Sequence, residues 1–499
     1  MARSGTGRRR RRWVSVAAAA VLVMAGQAVA GPAGAGVPPT TITVDRAHPF
    51  GELPSDFVGL SYEMRELSTL CTTPGDCVGN FDAPHGNLVA LYHNLGRLNV
   101  RIGGNQLDRD TLWVPAGQQP PNPLPEWVAD VVTPADIARL SKVLRATGWK
   151  AEVGINLAHF DPALAADQAR SMFSLLGSRL SGVECGNEPN HYAGRYRPVP
   201  YGFAEHKLDW EACANLVGSN RIAAPDLSGP TGTAEWFSMF AQAEHARINM
   251  LTVHNYTGAT TITQLLSPQI RAKEVNDVAP QLVAAKSVNL PIRLDETNSA
   301  VGGGIAGMSD VYASALWGLD YNLVLAQAGF AGINLHGGFG VCGAPLFNGR
   351  FQRYTPICAA NEQDRLDKVY KAMPLYYGMW MATRMGSGQF LPVTVSSDRN
   401  VTAYAVRGRD GRLRIAVIEK DETAGAPVPV TISVGGHSGS ASVLHLTGTS
   451  LASADGVAIQ GATVDRNGHF NPGHGDRVPV DHGTVSLDVA SGSAVIITL

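Results

Sequence analysis

Between residues 51 and 385, eight short apolar runs alternate with stretches of helical periodicity. The runs are Phe57–Met64, Leu98–Gly104, Trp149–Asn156, Leu180–Glu188, Ile222–Gly229, Ile248–Tyr256, Pro291–Asn298 and Gly329–Gly337. Helical patterning fills Thr133–Ala146, Pro162–Leu176 and Asp310–Gln327, the last with Ser309 placed to cap it. A strand followed by a helix and another strand gives parallel pairing with a right-handed crossover. Eight such units in about 330 residues predict an α/β fold of the (β/α)8 barrel type. A doubly wound open sheet is the alternative. The polar residues favour the barrel: Gly103-Gly104-Asn105, Asn187-Glu188, His254–Tyr256, Glu296 and His336 all fall at the C-terminal ends of their runs. A barrel brings those ends to one face, whereas an open sheet spreads them along an edge.

The texture changes after Gly386. Short alternating runs such as Val401–Val406, Leu413–Ile418, Val428–Val434 and Ala494–Leu499 are punctuated by Gly, Asp, Ser and Asn. Residues 386–499 therefore read as a β-sandwich domain. Within residues 41–50, the run Thr41–Val44 lies outside the barrel count and is expected to join that domain. Residues 1–30 have the charged, apolar and small-residue sections of an export signal, and residues 31–40 read as a linker. Six of the 40 basic residues lie in that signal, so the remainder holds 34 basic against 42 acidic residues, a net charge near −8. That surface argues against nucleic acid as a partner. No later run is long and apolar enough to span a membrane, so the expected location is secreted. Six cysteines in an exported chain suggest disulfides, with Cys71–Cys77 and Cys342–Cys358 the pairs most favoured by spacing; Cys185 and Cys213 pair or stay free. No Cys-x-x-Cys or His-Glu-x-x-His spacing calls for a metal, and no cofactor is expected.

Glu188 and Glu296 carry the chemistry. A carboxylate at a strand end facing a dry cleft is expensive to keep unless pairing or function holds it there. Two facing one pocket are the minimum for cleaving a glycosidic bond. Glu188, beside Pro189, suits a proton donor whose apolar setting raises its pKa; Glu296 suits a nucleophile that stays ionised. Arg101 has the parity to face the barrel interior and support Glu296, with Glu184 as its anchor. His254 or Tyr256 could hold Glu296. Asn187 suits a sugar 2-hydroxyl, and Glu63, Asn105, Tyr256 and His336 suit other ring hydroxyls. Trp113, Trp127 and Tyr192 fall in loops where they could stack on sugar rings. The segment Gly302–Gly307 fits G-x-G-x-x-G, but it follows the seventh run, and the next run ends in His336 rather than an acid. A tight loop near the substrate explains it better than a dinucleotide site.

At these residues the chain resembles glycoside hydrolase family 79, the β-glucuronidase and heparanase family of clan A. Gly186-Asn187-Glu188-Pro189-Asn190 looks like the clan's acid/base motif. Glu296-Thr297-Asn298-Ser299 with Gly302-Gly303-Gly304 looks like the family's nucleophile segment. Val100–Gly104 and Gly59–Glu63 are similar to its second and first strands. The resemblance implies a secreted retaining β-glycosidase of the β-glucuronidase type, with Glu188 as acid/base, Glu296 as nucleophile and a carbohydrate substrate. Family members that bind glucuronate often have a tyrosine where this chain has Val301. Tyr354, Arg350 or backbone amides of Gly302–Gly304 or Gly337–Gly340 would then have to hold the carboxylate. A clan A enzyme for a neutral glucoside, xyloside or arabinofuranoside, and a non-catalytic sugar-binding protein, are the alternatives.

Overall fold

The computed structural model describes residues 38–499 apart from 74, 346–351, 422–424 and 437. The export segment, most of the linker and Arg350 lie outside the described residues. Eight parallel strands form one sheet: β1 (Val58–Glu63), β2 (Asn99–Gly103), β3 (Lys150–Ile155), β4 (Leu180–Cys185), β5 (Ala223–Ser228), β6 (Met250–Tyr256), β7 (Ile292–Asn298) and β8 (Gly332–Gly337). They run in the order β5-β6-β7-β8-β1-β2-β3-β4. The seam between β4 and β5 is drawn together by a bridge between Val183 and Ile222 and by the Glu188 amide donating to Asp226 O at 3.0 Å. The result is a nearly closed barrel.

One set of strand side chains is apolar and buried, including Leu60, Tyr62, Val100, Ile102, Val153 and Val183. The alternate set, Asn99, Arg101, Glu152, Glu184, Arg293 and Asn334, is polar and equally buried. These polar residues bond to one another. Asn99 Nδ2 donates to Glu152 at 3.3 Å, Asn334 Nδ2 donates to Asn99 Oδ1 at 3.0 Å, and Arg293 Nη1 donates to Asn334 Oδ1 at 2.9 Å. The barrel centre is thus a hydrogen-bonded stack instead of the branched aliphatic layers usual in this architecture. Buried polar groups survive there because they pair.

The helix Pro134–Thr147 starts with a capping box between Thr133 and Asp136, and Pro162–Leu176 is capped by the Asp161 carboxylate. The later helix begins at Ala313, three residues beyond the predicted start. Ser309 does not cap it. Its hydroxyl oxygen accepts hydrogen bonds from Ser299 Oγ (2.8 Å) and the Ile305 amide (3.0 Å), so Ser309 instead pins the glycine-rich loop after β7.

The C-terminal residues build one continuous twelve-stranded mixed sheet that curls. Thr40–Val44 lies within it, parallel to Val428–Ser433 and antiparallel to Val393–Ser396. Phe50–Leu53 pairs with Gly388–Leu391 at the sheet's edge. Lys420 Nζ reaches Asp320 Oδ2 at 2.6 Å, and the Tyr312 hydroxyl donates to Leu446 O at 3.0 Å, so the barrel helix Ala313–Ala328 and its lead-in are tied directly to the sheet.

Candidate active site

All eight strands point the same way, so their C-terminal ends share one face. There a cleft of about 370 Å³ is lined by Glu63, Asn105, Glu188, His254, Tyr256, Glu296 and His336 among others. Asn187, Arg101 and Glu184 sit beneath this lining, and Arg101 and Glu184 are fully buried.

Arg101 organises the floor. Its Nε donates to Glu184 Oε2 at 2.8 Å, Nη1 to Glu296 Oε2 at 2.9 Å and Nη2 to Asn187 Oδ1 at 2.8 Å. Gly103 makes the room: a Cβ there would come within 2.6 Å of Arg101 Cζ and 2.8 Å of Glu184 Oε2. Gly104 has φ +74, and a Cβ there would press against the Glu63 carboxylate. The Glu63 oxygen Oε2 in turn accepts the Gln106 amide at 2.8 Å.

Glu296 has the densest surroundings. Besides Arg101, the Tyr256 hydroxyl donates to Oε1 at 2.8 Å, and His336 Nδ1 lies 3.9 Å from Oε2. His336 is itself held by Ser61 Oγ at 3.0 Å. Burial pushes the Glu296 pKa up, but the charges of His336, His254 and Arg101 and the tyrosine bond outweigh it and hold the pKa at about 2. Asp295, its neighbour, also reaches Arg101, with Oδ2 at 3.8 Å from Nε. Two consecutive residues can both approach one inward guanidinium because the pairing register slips on either side of this part of β7.

Glu188 is held differently. It lies three residues beyond β4, with φ 49 and ψ 53, a left-handed conformation that costs a non-glycine residue energy. His254 Nδ1 lies 3.0 Å from its Oε1, so His254 serves Glu188, and Tyr256 is the residue that holds Glu296. The other nitrogen of His254 is 3.6 Å from Asp295 Oδ2. Burial lowers the His254 pKa, yet the charges of Asp295 and Glu296 outweigh it and hold the value well above the histidine norm. Asn187 turns its amide N–H to Asp108 Oδ2 at 2.7 Å and leaves its buried Nδ2 without a partner among the described residues. One oxygen of Glu188, one of Glu296 and one nitrogen of His254 all lie within 4.8 Å of one another.

Beneath the pair, burial sorts the remaining acids. It raises Glu184 to about 8 against the pull of Arg101, and it raises Asp226 well above the carboxylate range with help from nearby Glu184 and Asp295. For Asp295, burial is outweighed by His254 and Arg101, and the pKa falls. Two ionised carboxylates, Asp295 and Glu296, thus face two cations, Arg101 and His254.

Three aromatic residues do not line the cleft. Trp113 Nε1 donates to Asp167 at 2.9 Å, and Trp127 stacks on His159 with ring centroids 4.0 Å apart; both belong to a separate crevice. Tyr192 is buried with its hydroxyl bonded to Asp108. Sequence reasoning missed Arg109, Ser228, His191 and Gln352, which do line the cleft. Arg109 is eight residues after Arg101 on the short helix Gly104–Asp110, and no strand parity pointed to it. Tyr354 also lines the cleft, its ring 6.2 Å from that of Tyr256.

Comparison with known proteins points to the same family resemblance as the sequence motifs. Residues 403–496 match the glycosyl hydrolase family 79 C-terminal beta domain. The chain thus resembles glycoside hydrolase family 79, and its C-terminal sheet matches that family's C-terminal domain. A β-glucuronidase of Aspergillus niger is 26% identical over 279 residues, which is 49% of this chain and 48% of that protein. One of Neurospora crassa is 25% identical over 194 residues, 33% of this chain and 35% of the relative. The matches therefore span about half or less of these curated relatives. Among solved structures, a 4-O-α-L-rhamnosyl-β-D-glucuronidase from Fusarium oxysporum superposes with a TM-score of 0.73 at 20% identity, covering 92% of this chain and 100% of that one. A family 51 arabinofuranosidase from Xanthomonas axonopodis pv. citri gives 0.67 at 14% identity, covering 92% and 99%. At such identities these two likenesses establish the fold alone.

Proposed function

We propose that the chain is an exported retaining β-glycosidase of the β-glucuronidase type, with Glu188 as acid/base and Glu296 as nucleophile. The observation that carries this reading is the short approach of the two carboxylates, within 4.8 Å at their nearest oxygens, in opposite settings. Retaining enzymes hold the pair about 5–5.5 Å apart; inverting ones leave about 6.5–9.5 Å for a water. Ionised Glu296 attacks the anomeric carbon while Glu188 gives its proton to the departing oxygen. Glu188, now a carboxylate, takes a proton from water, which attacks the same carbon and releases Glu296. His254, at 3.0 Å, suits both protonation states of Glu188, because a positive imidazole offsets the carboxylate formed in the first step. The free Nδ2 of Asn187 is suited to a 2-hydroxyl, a contact that strengthens in the transition state.

A glucuronate carboxylate would find Tyr354, Arg109 and the amides of Gly302 and Gly303 on the cleft wall. Three disulfides, Cys71–Cys77, Cys185–Cys213 and Cys342–Cys358, support export to an oxidising compartment. No described helix is long and apolar enough to cross a membrane. A neutral sugar is the second reading, favoured by one observation: Arg109 already pairs with Asp110 at 2.6 Å, which weakens its pull on an anionic substrate. The deciding experiment is kcat/KM for p-nitrophenyl β-glucuronide against p-nitrophenyl β-glucoside. A site whose donors pair a carboxylate rejects the glucoside strongly. Equal rates, or preference for the glucoside, move the assignment to a neutral sugar; binding without turnover of either marks a sugar-binding protein.

A further inference from the structure

Asp226 is a buried acid that the proposed mechanism leaves unused. It lies in β5 where the pairing with β6 slips between Ala224 and Leu227, and its φ of 57 is a left-handed conformation that costs a non-glycine residue energy. That conformation points its groups three ways. The amide donates to Thr252 Oγ1 at 3.3 Å, the carbonyl accepts the Glu188 amide at 3.0 Å, and the carboxyl hydrogen-bonds to Asp295. One residue thus holds the turn that carries Glu188 and also reaches the floor beneath it.

The contact between the two aspartates needs a proton. One oxygen of each and one nitrogen of His254 all lie within 4.8 Å of one another, and none of the three residues is more than 1% exposed. Apart from His254 at 3.6 Å and Arg101 at 3.8 Å, no donor among the described residues reaches either oxygen of Asp295, and none reaches Asp226 Oδ1. Two carboxylates sharing such a site cannot both stay ionised. The neighbours decide which one keeps the proton. Asp295 faces two cations, His254 of β6 and Arg101 of β2, with Glu152 of β3 and Glu184 of β4 behind it. Asp226 faces Glu184 and Asp295, with Arg101 acting more weakly. The proton therefore sits on Asp226 and the charge on Asp295. His254 in turn faces Asp295 and Glu296 from β7 and Glu188 from the turn after β4, and Asp295 is the strongest influence keeping it charged.

We propose that Asp226 and Asp295 form a one-proton dyad that keeps His254 positively charged and so sets how readily Glu188 gives up its proton. Asp226 is a positioning residue. Its O–H donates to Asp295, Asp295 carries the charge that His254 answers, and His254 lies 3.0 Å from Glu188. A positive imidazole there eases proton loss from Glu188, so a neutral one leaves Glu188 protonated to higher pH. The link to catalysis rests on the acid/base role of Glu188; the dyad itself does not.

NMR on the full chain, labelled with 13C at the aspartate carboxyls and 15N at histidine, reads the dyad without any turnover. The signals are assigned by their loss in Asp226→Asn, Asp295→Asn and His254→Gln. At about pH 7 Asp226 should be protonated and Asp295 ionised, and His254 should stay cationic well past about pH 6.5, where an ordinary histidine loses its charge. In Asp295→Asn, His254 should be neutral at about pH 7, and the alkaline limb of kcat/KM should move upward by about one unit. Asp226→Gly fits the left-handed backbone and removes the donor, so Asp295 should take up a proton at higher pH than in the wild type. Asp226→Asn supplies an N–H in place of the O–H and should return Asp295, His254 and the alkaline limb to their wild-type positions. An ionised Asp226 or a neutral His254 at about pH 7 in the wild-type protein overturns the dyad, whether or not the variants fold. So does a His254 that keeps its charge in folded Asp295→Asn. An alkaline limb that stays in place while His254 loses its charge would sink the acid/base reading of Glu188, and the link with it, and leave the dyad standing.

Discussion

Glu296 and Glu188 sit within 4.8 Å of each other, yet the protein treats them in opposite ways. Glu296 is enclosed by Arg101, Tyr256, His336 and His254, all of which favour its ionised form. Among the described residues Glu188 has one close side-chain partner, His254, and it stands at a strained turn with 15% of its side chain exposed. The difference suits the two roles proposed for them. A nucleophile needs one charge state and a fixed position, so it is surrounded by donors. A group that must give and then take a proton is left with one adaptable partner and access to water.

Four substitutions test that contrast, in falling order of effect. Glu296→Gln removes the proposed nucleophile and should lower kcat by several orders of magnitude for every substrate, whatever its leaving group. Glu188→Ala should behave unevenly. With a poor leaving group the loss should be about 10²–10⁴-fold. With an activated aryl glycoside the first step is spared, and added azide should restore turnover more readily than in Glu296→Ala. Equal sensitivity to leaving group in both variants would erase the distinction between the two carboxylates. Arg101→Met leaves ionised Glu296 buried without its arginine, and breaking such a pair costs about 3–5 kcal/mol of stability. Chemical denaturation should show that loss, and a near-wild-type midpoint would mean the arginine is not what holds the floor.

The smallest effect should come from Tyr256→Phe, which removes one hydrogen bond to a charged group, worth about 1.5–3 kcal/mol. The tyrosine hydroxyl donates best to ionised Glu296, so it favours that form and depresses the pKa. Without it the pKa rises from about 2, and Glu296 becomes protonated at a higher pH. The acid limb of kcat/KM should therefore move upward while the alkaline limb stays. An unmoved acid limb would show that the Tyr256 bond contributes nothing to keeping Glu296 charged.

Much of this contrast was legible before any coordinates. The apolar runs placed Glu296, His254 and His336 at strand ends, because each strand in this barrel has to bury one alternating apolar set. The same alternation turned Arg101 inward with Glu184 as its anchor. What escaped has physical causes. Asp226 and Asp295 enter the site through register slips in β5 and β7, which strict alternation does not reveal. Asp226 even adopts φ 57, which the sequence does not announce. Trp113, Trp127 and Tyr192 stand out only by residue type and loop position, and their polar atoms are committed to Asp167 and Asp108 or their rings to His159. Arg109, His191 and Gln352 come from short helices and loops with no periodicity to orient them.

The central claim is that Glu296 forms a covalent bond to the sugar. The direct measurement is mass spectrometry of the protein after treatment with an activated 2-deoxy-2-fluoro β-glycoside of whichever sugar it turns over. The account predicts a one-sugar mass gain, mapped to the peptide containing Glu296 and absent from Glu296→Gln. Turnover of that sugar with no adduct and an inverted anomer as the first product, or an adduct on another residue, would contradict it.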